Sequence, residues 1–408
     1  MGMLIPPPRK PGRRKTPQFK PQQVAGAKYL GIVRDLLAPL RSHRDCGNRK
    51  LHYDEYVQYE LLYFFTPVVT SLQGLQQVSE FDRVHRKLHL PRFSVGAFSE
   101  AGRRFDPELL KPVIQALGDQ LAPTHPDPRL ASLERTPVAV DGSLIDAVPT
   151  MAWALWLDAG HRAAKLHLQF DLLKQAPSDA TVTEGNGDER AVLRENLSAG
   201  NLYVVDRGYA DYGLLADTLE AGSSFVARLR HDAVYEVLEE RPVSASARAA
   251  GIEEDVIVKL GSASAAELHD RKIRLIRIHV HDTETRPGRP RAKKAGRKPG
   301  GDYTILLATD QLDRDAELLA ALYRYRWQIE LFFRWLKKIL DIEHLLSRNH
   351  NGVTIMLYCA LIASLLVALW TGRQPSKRAY ELICFYFLGW IGDAELAAHL
   401  DRLSPAVD

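Results

Sequence analysis

Two aspartates occupy positions in the sequence where a carboxylate could take part in chemistry. Asp141 follows the apolar run Val-Ala-Val and precedes a glycine, and Asp206 follows Tyr-Val-Val with a glycine two residues later. Such a run, ended by an acid and a glycine, predicts a strand that stops in a turn with the carboxylate at its end. If the two strands are neighbours, both carboxylates converge at the sheet edge where α/β proteins bind ligands. Taken singly, each motif is more often an ordinary turn.

A third acid, Glu330, stands in a segment with strong helical periodicity, residues 317–340. Tyr323, Arg326, Glu330 and Lys337 lie at offsets of 0, 3, 7 and 14 residues. At about 100° per residue these offsets fall within a helix stripe about 60° wide. An exposed Arg–Glu pair, worth roughly a few tenths of a kcal/mol, is a common alternative for such spacing. Here aromatic and apolar residues cover much of the helix, so we predict burial, and buried charges need partners.

The three carboxylates of Asp141, Asp206 and Glu330, once brought together, would repel one another unless cations neutralised them. Hard oxygen ligands favour Mg²⁺, for which Mn²⁺ can substitute. Two such ions about 3.5–4 Å apart can activate a water or a 3′ hydroxyl and stabilise the leaving oxygen of an in-line displacement. We therefore predict that these three acids are catalytic ligands of two Mg²⁺ ions at a phosphodiester bond.

The other side chains of the stripe suit contacts with a nucleic-acid backbone. Arg326 would bind phosphate through a two-pronged fork, and Lys337 would bind it as a point charge. Tyr323 would hydrogen-bond to the same backbone or pack against it. Contacts of this kind position DNA rather than read its sequence. We therefore predict Tyr323, Arg326 and Lys337 as DNA-binding residues.

The distribution of charge along the chain also indicates that nucleic acid is the partner. The 408-residue chain has a formal net charge of only +4, but residues 1–20 hold six Lys or Arg and residues 286–298 hold seven, without an acid in either run. The first run predicts a flexible basic arm and the second a basic loop, although a merely solvated tail explains the first equally well. Two basic runs in one chain favour nucleic acid as the partner.

The cysteines and the apolar runs indicate the cellular compartment in which the protein works. The chain has three cysteines without a CxxC pair, which argues against a disulfide framework or structural zinc and favours a reducing cytoplasm. Prolines and arginines stand where a secretory signal would need an apolar stretch. Residues 354–370 carry no charge, at the lower length limit for a membrane span. Two helices buried against a large domain explain this stretch as well, and we expect no membrane association.

The order of predicted elements indicates a mixed α/β sheet. Short β-branched runs at 138–140, 165–173 and 203–205 predict strands, and a helical pattern at 188–197 separates the second from the third. The chain then runs 124 residues from Asp206 to Glu330, far more than a strand-to-helix connection needs. Val-, Ile- and Leu-rich segments within this stretch predict a β-rich insertion.

At these residues the sequence resembles the DDE-type transposases of bacterial insertion sequences, in particular the insertion-sequence-four group. That group is marked by Tyr-x2-Arg-x3-Glu-x6-Lys, matched by Tyr323, Arg326, Glu330 and Lys337. The Asp-Gly-Ser block at Asp141 and the Asp-Arg-Gly-Tyr block at 206–209 are similar to the family's other motifs. The resemblance covers roughly residues 80–390. It implies a ribonuclease-H-like core, Mg²⁺ dependence, an amino-terminal DNA-binding region, dimeric synapsis on double-stranded DNA and cut-and-paste movement.

Taken together, the expected fold is α/β, with a ribonuclease-H-like mixed-sheet core interrupted by a β-rich insertion, an amino-terminal helical domain and carboxy-terminal helices. The expected divisions are a basic arm (1–21), a helical DNA-binding domain (22–130), a first core segment (131–220), the insertion with its basic loop (221–301), a second core segment with the Glu330 helix (302–345) and carboxy-terminal helices (346–408).

Three other hypotheses fit parts of this pattern. A host nuclease or resolvase on the same fold would need the three acids but no strand-transfer step. A DNA-binding relative that has lost catalysis would not need the complete motif that this chain keeps. A membrane protein anchored by residues 354–370 would need detergent for extraction.

Overall fold

The computed structural model describes residues 31–43, 50–147, 151–155, 161–261, 268, 270–280 and 303–402. The predicted basic arm at 1–21 and the basic loop at 286–298 lie outside the described residues. The described chain divides into two compact units: one comprises residues up to Phe105 together with those from Tyr380 onward, and the other comprises Asp106–Ala379.

Fourteen α-helices occur in the described residues. They are α1 (Gly31–Leu37), α2 (Tyr53–Phe65), α3 (Leu72–Ser79), α4 (Asp82–Leu88), α5 (Val95–Arg104), α6 (Lys111–Asp119), α7 (Glu189–Glu195), α8 (Tyr212–Glu220), α9 (Ala245–Ala249), α10 (Ala316–Tyr325), α11 (Trp327–Lys338), α12 (His350–Thr371), α13 (Lys377–Phe387) and α14 (Asp393–Asp401).

The first unit is helical and packs around aromatic rings. Every residue of α2 is buried. Tyr53 of this helix stacks on Phe105 with ring centroids 4.4 Å apart, and Phe65 stacks on Phe387 at 4.8 Å. Ring pairs of this kind contribute stability beyond the area they bury. The aromatic residues of 53–105 therefore form the core of this unit.

The second unit contains nine strands in the described residues. They are β1 (Thr136–Ala147), β2 (Arg162–Asp171), β3 (Ala176–Glu184), β4 (Asn201–Val205), β5 (Ser224–Arg228), β6 (Tyr235–Glu240), β7 (Ile252–Leu260), β8 (Ile273–Val280) and β9 (Tyr303–Thr309). They form one mixed sheet in the order β3-β2-β1-β4-β5-β9-β8-β7-β6. β1 pairs antiparallel with β2 and parallel with β4, and β4 pairs parallel with β5.

The register between β1 and β4 aligns the two aspartates. The parallel pairing ends at Ala139 opposite Val204, so continuing it by two residues sets Asp141 opposite Asp206. The two strands are neighbours, so the condition under which their carboxylates converge is met. The prediction that Asp141 ends its strand is wrong, because β1 continues through Gly142 to Ala147. Hydrogen bonding to β2 holds this extension, with Asp141 opposite Leu168, and a local Asp-Gly signal does not reveal such a partner.

The predicted insertion adds strands to the same sheet rather than forming a separate one. β6, β7 and β8 pair antiparallel in succession, and β8 pairs with β9, which in turn pairs with β5. A buried ion pair connects this region to the loop before α10. Arg274 on β8 donates to Asp255 on β7 at 2.7 Å and also to the carbonyl of Leu312 at 3.1 Å.

The helix predicted at 317–340 is interrupted. α10 ends at Tyr325 and α11 begins at Trp327, with Arg326 between them. At the joint the amide of Ile329 donates to the carbonyl of Arg326, three residues back, at 3.2 Å. Arg326 nevertheless keeps helical backbone angles, with φ −50° and ψ −30°, and its amide donates to the carbonyl of Leu322 at 3.3 Å. Its side chain contacts Glu330.

The apolar run at 354–370 lies within α12. Among the described helices this one is long and apolar enough to cross a bilayer, with a mean hydropathy of 2.4, but 94% of its apolar window is buried inside the protein. Tyr358 of this helix donates to the carbonyl of Ala180 on β3 at 2.9 Å. The helix packs as a core element of the second unit, which explains why its sequence is apolar on all sides.

Candidate active site

Asp141 lies on β1 where the parallel pairing to β4 has stopped. Its Oδ1 accepts a hydrogen bond from the Gly142 amide at 2.8 Å. Burial raises the pKa of the Asp141 carboxyl to about 6, the Gly142 bond and the Arg326 charge oppose this shift, and the negative charges of Asp206 and Glu330 add to it. The charges of Asp206 and Glu330, which come from two other elements, therefore reach the Asp141 carboxyl.

Asp206 is the first residue after β4. Its Oδ1 accepts a hydrogen bond from the Gly208 amide at 2.7 Å, which caps the single 3-10 turn of residues 207–209. A short polar side chain before a helical turn satisfies an amide that would otherwise have no partner. The local sequence Asp-Arg-Gly thus turns the chain away from the sheet and leaves the carboxylate at the end of β4.

Glu330 projects from the first turn of α11 and is held by Arg326. One guanidinium nitrogen of Arg326 lies 2.9 Å from Glu330 Oε1. The Arg326 side chain is 13% exposed, so this is a largely buried, charge-assisted contact. In this arrangement Arg326 neutralises one of the three acids.

The remaining predicted residues flank this pair. The Arg326 guanidinium lies 5.8 Å from the centre of the buried Tyr323 ring, a cation–π distance. Lys337 donates to the backbone carbonyl of Leu144 on β1. Tyr323 thus supports Arg326, and Lys337 ties α11 to the strand that carries Asp141.

The donor set fits a divalent cation in its chemistry. Asp141 is a carboxylate whose charged form is destabilised by burial and by two neighbouring acids, and a cation between them would relieve that cost. Within the described part of the chain, no three His, Cys, Asp or Glu side chains already lie close enough to hold an ion.

Two polar residues that were not predicted as site residues lie on the face of β1 opposite the Asp141 side chain, because successive strand residues point to opposite faces. Glu189, at the start of α7, places Oε1 only 2.8 Å from the position that a Cβ atom on Gly142 would take. Tyr209, part of the Asp-Arg-Gly-Tyr block, is 1% exposed. In the sequence Glu189 is an ordinary helical glutamate, so only the packing of α7 against β1 reveals its place.

His167 lies on β2 close to these residues. Its Nε2 is 2.9 Å from Thr183 Oγ1 on β3. Burial and the nearby Lys165 charge lower the pKa of His167 to about 4, so the imidazole is neutral at pH 7. It belongs to the packing beneath the acids and carries no charge there.

Comparisons with known proteins identify the family. The pattern of the Transposase DDE domain family matches residues 132–366, which contain all three acids and more than half of the chain. A protein of Sinorhizobium fredii named as transposase y4zB is 31% identical over 226 residues, which are 54% of this chain and 58% of that protein. This chain therefore spans less than two thirds of that relative.

Two further relatives are named as transposases of insertion sequences. The one for element IS5377 of Geobacillus stearothermophilus is 23% identical over 80% of this chain and 79% of its own length. The one for element IS4SA of a Synechocystis strain is 21% identical over 67% of this chain and 71% of its own length.

Among solved structures, a piggyBac transposase synaptic complex with hairpin DNA aligns with 98% of this chain and 89% of its own, at 11% identity and a TM-score of 0.39. This likeness is too weak to add to the assignment. The family pattern covers most of the second unit and all three acids, and from that match the chain belongs to the DDE transposase domain family.

Proposed function

We propose that this DDE-family transposase binds the terminal inverted repeats of its own insertion sequence, cleaves the strands at each end and joins the 3′ ends to target DNA. The observation that carries the proposal is the grouping of Asp141, Asp206 and Glu330. Each comes from a different element, and the charges of the other two raise the pKa of Asp141.

Enzymes of this family generally use divalent metal ions. We propose that Asp141, Asp206 and Glu330 hold two Mg²⁺ ions, which Mn²⁺ can replace. When bound, such ions supply an activated water or 3′ hydroxyl and stabilise the leaving oxygen. For Glu330 to contribute both oxygens, its contact with Arg326 must open.

The basic side chains around the acids have distinct roles in this proposal. Arg326, once released from Glu330, is placed to bind a phosphate beside the scissile bond through its planar fork. Tyr323 keeps the guanidinium in position by packing under it. Lys337 holds α11 on β1 in the DNA-free protein and would add a point charge near the backbone when DNA binds.

The order and directions of the strands support the expected core fold. The first four strands follow the order β3-β2-β1-β4, with β2 running opposite to the other three, and this order supports a ribonuclease-H-like core. We propose that the core comprises residues 131–220 and 302–345, that residues 22–130 bind DNA and that two copies assemble on paired ends. We also propose that the chain belongs to the insertion-sequence-four group and that it acts in the cytoplasm, on the nucleoid.

The test uses labelled DNA that carries the sequences flanking the gene, incubated with Mg²⁺ and the full chain. Asp141→Ala, Asp206→Ala and Glu330→Ala should each abolish strand cleavage and leave binding in a gel-shift assay unchanged. Persistent Mg²⁺-dependent cleavage by any of the three would refute its assignment. Cleavage by the natural chain without joined products would instead identify a nuclease on this fold.

A further inference from the structure

Helix α11 lies on the face of the sheet that carries the Asp141 side chain. Strand residues alternate between the two faces, so Asp141 shares its face with Ala139, two residues earlier. Phe170 on β2 stands opposite Ala139, and cross-strand partners point to the same face. The Phe332 ring of α11 lies 5.2 Å from the Phe170 ring. The helix that carries Glu330 in its first turn therefore packs over the face of Asp141.

Arg326 is the positively charged side chain that meets the acids on this face. One of its guanidinium nitrogens lies 2.9 Å from Glu330 Oε1, and the Arg326 side chain is largely buried. Among the described residues, no other Lys or Arg forms an ion pair with Asp141, Asp206 or Glu330. Burial raises the pKa of Asp141, and the Gly142 amide and the charge of Arg326 oppose this rise. The guanidinium therefore supplies part of the positive charge that the acids need.

The guanidinium of Arg326 has hydrogen-bonding capacity that its contact with Glu330 does not use. Its Nε atom is buried and has no hydrogen-bond partner among the described residues. A buried donor without an acceptor costs free energy. A phosphate group offers several acceptor oxygens that match the planar fork of a guanidinium. Arg326 would therefore gain acceptors by leaving Glu330 and binding a phosphate of the DNA backbone.

We propose that Arg326 is an internal counter-ion of the acids, which competes with divalent cations for Glu330 and gives up that place when its guanidinium binds a DNA phosphate. This inference rests on the proposed function, because it assumes that the three acids bind divalent cations. Two positive charges beside one carboxylate repel each other, so each weakens the binding of the other.

Competition at Glu330 couples the binding of DNA to the binding of the cation. A phosphate that draws the guanidinium away removes the competing charge and leaves both oxygens of Glu330 to the cation. By thermodynamic linkage, a bound cation favours phosphate binding by the same factor. The acids therefore bind cations tightly where DNA is present and weakly where it is absent.

A different account of the same contact is that Arg326 only holds Glu330 in position at the start of α11. The two accounts predict opposite results for a neutral side chain at position 326. If Arg326 competes with the cation, removing its charge tightens cation binding. If Arg326 only positions Glu330, its removal leaves cation affinity unchanged or weakens it.

The experiment measures Mn²⁺ binding to the full chain from the free-ion signal in electron paramagnetic resonance, with thermal unfolding of the metal-free protein as a check on folding. Arg326→Gln removes the charge but keeps an amide that can donate to Glu330. It should tighten binding about 10-fold, the strength of a hydrogen bond between charged groups. Arg326→Lys keeps the charge and should show a clearly smaller gain. Arg324→Gln, which removes an exposed charge two residues earlier, should bind as the natural chain does.

The coupling to DNA is tested by the same titration with a saturating duplex that carries the sequences flanking the gene, after subtraction of the Mn²⁺ bound by the duplex alone. DNA should tighten Mn²⁺ binding by the natural chain. It should add little in Arg326→Gln, where the competing charge is already gone. An equal gain in the two chains would overturn the coupling through Arg326.

Asp141→Asn distinguishes a failure of this inference from a failure of the proposed function. If it loses Mn²⁺ binding while Arg326→Gln binds as the natural chain does, the counter-ion is refuted and the proposed centre stands. If Asp141→Asn itself binds normally, the proposed centre fails and this inference fails with it. Should Arg326→Gln not fold, tighter Mn²⁺ binding by the natural chain on addition of DNA supports the proposal, and unchanged or weaker binding overturns it.

Discussion

At the scale of single residues, folding buries the Asp141 carboxylate and destabilises its charged form. Asp141 has a pKa of about 6, raised chiefly by burial and further by Asp206 and Glu330. A buried carboxylate that is costly without a cation becomes favourable when a cation binds. The same feature that weakens the metal-free protein therefore favours metal capture, which is a common arrangement at functional sites.

The cost of burying the charged Asp141 can be measured from the free energy of unfolding. Because the folded pKa of Asp141 exceeds the unfolded value, its carboxylate destabilises the fold above pH 6, and the penalty disappears below pH 4 where both states are protonated. Asp141→Asn should therefore stabilise the metal-free protein by about 1–2 kcal/mol at pH 8 and have little effect near pH 3.5. Thermal unfolding at the two pH values tests this.

Asp146→Asn is the matched control, since Asp146 is an exposed acid on the same strand and should show no such pH-dependent gain. A lower melting temperature for Asp141→Asn at pH 8 would contradict the account of Asp141 as a destabilising charge.

At the scale of elements, the joint between α10 and α11 is held by residues distant in the chain. Tyr325, the last residue of α10, donates to Asp127 Oδ2 at 2.7 Å, and Arg129 pairs with the same carboxylate at 2.6 Å. These contacts fasten the end of α10 just before Arg326. Glu330 stands four residues after this joint, in the first turn of α11.

The inserted strands are joined to this region by the Asp255–Arg274 pair. Both side chains are buried, with 6% and 3% exposure, and Arg274 also donates to the carbonyls of Gln311 and Leu312. Removing one partner of a buried pair leaves an uncompensated charge, which costs about 3–5 kcal/mol. Asp255→Ala should lower the free energy of unfolding by this amount in urea titrations.

The Glu254–Arg277 pair on the same two strands provides a control for that substitution. Its side chains are 37% and 36% exposed, so Glu254→Ala should cost less than about 1 kcal/mol. Equal effects of the two substitutions would show that burial does not set the strength of the Asp255–Arg274 pair.

At the scale of the whole molecule, α12 is the helix whose length and hydropathy would also suit a membrane span, and its burial makes it a core helix instead. Leu361, in the middle of this helix, is fully buried. Leu361→Ala should therefore lower the free energy of unfolding by about 2–5 kcal/mol, the usual range for removing a buried leucine side chain. Ala substitution at the exposed Leu155, 50% accessible in the same unit, should change it by less than about 0.5 kcal/mol. Similar stabilities for the two variants would show that α12 is not a core helix.

Several strands and helices of this protein can be predicted from short stretches of its sequence. Apolar runs ending at Asp141 and Asp206 and the spacing from Tyr323 to Lys337 are set by neighbours a few residues away, so the sequence alone indicated the strands, the helical segment and the three acids. The same local signals indicated that the stretch before Glu330 is rich in strands.

The tertiary structure decided what depends on distant partners. The register of β1 on β4 sets Asp141 opposite Asp206, and hydrogen bonding to β2 extends β1 beyond its glycine. Packing of α7 against β1 brings Glu189 to Gly142. Strand register and helix packing join residues tens to hundreds of positions apart, and hydrophobic periodicity fixes which face is buried without specifying what it meets.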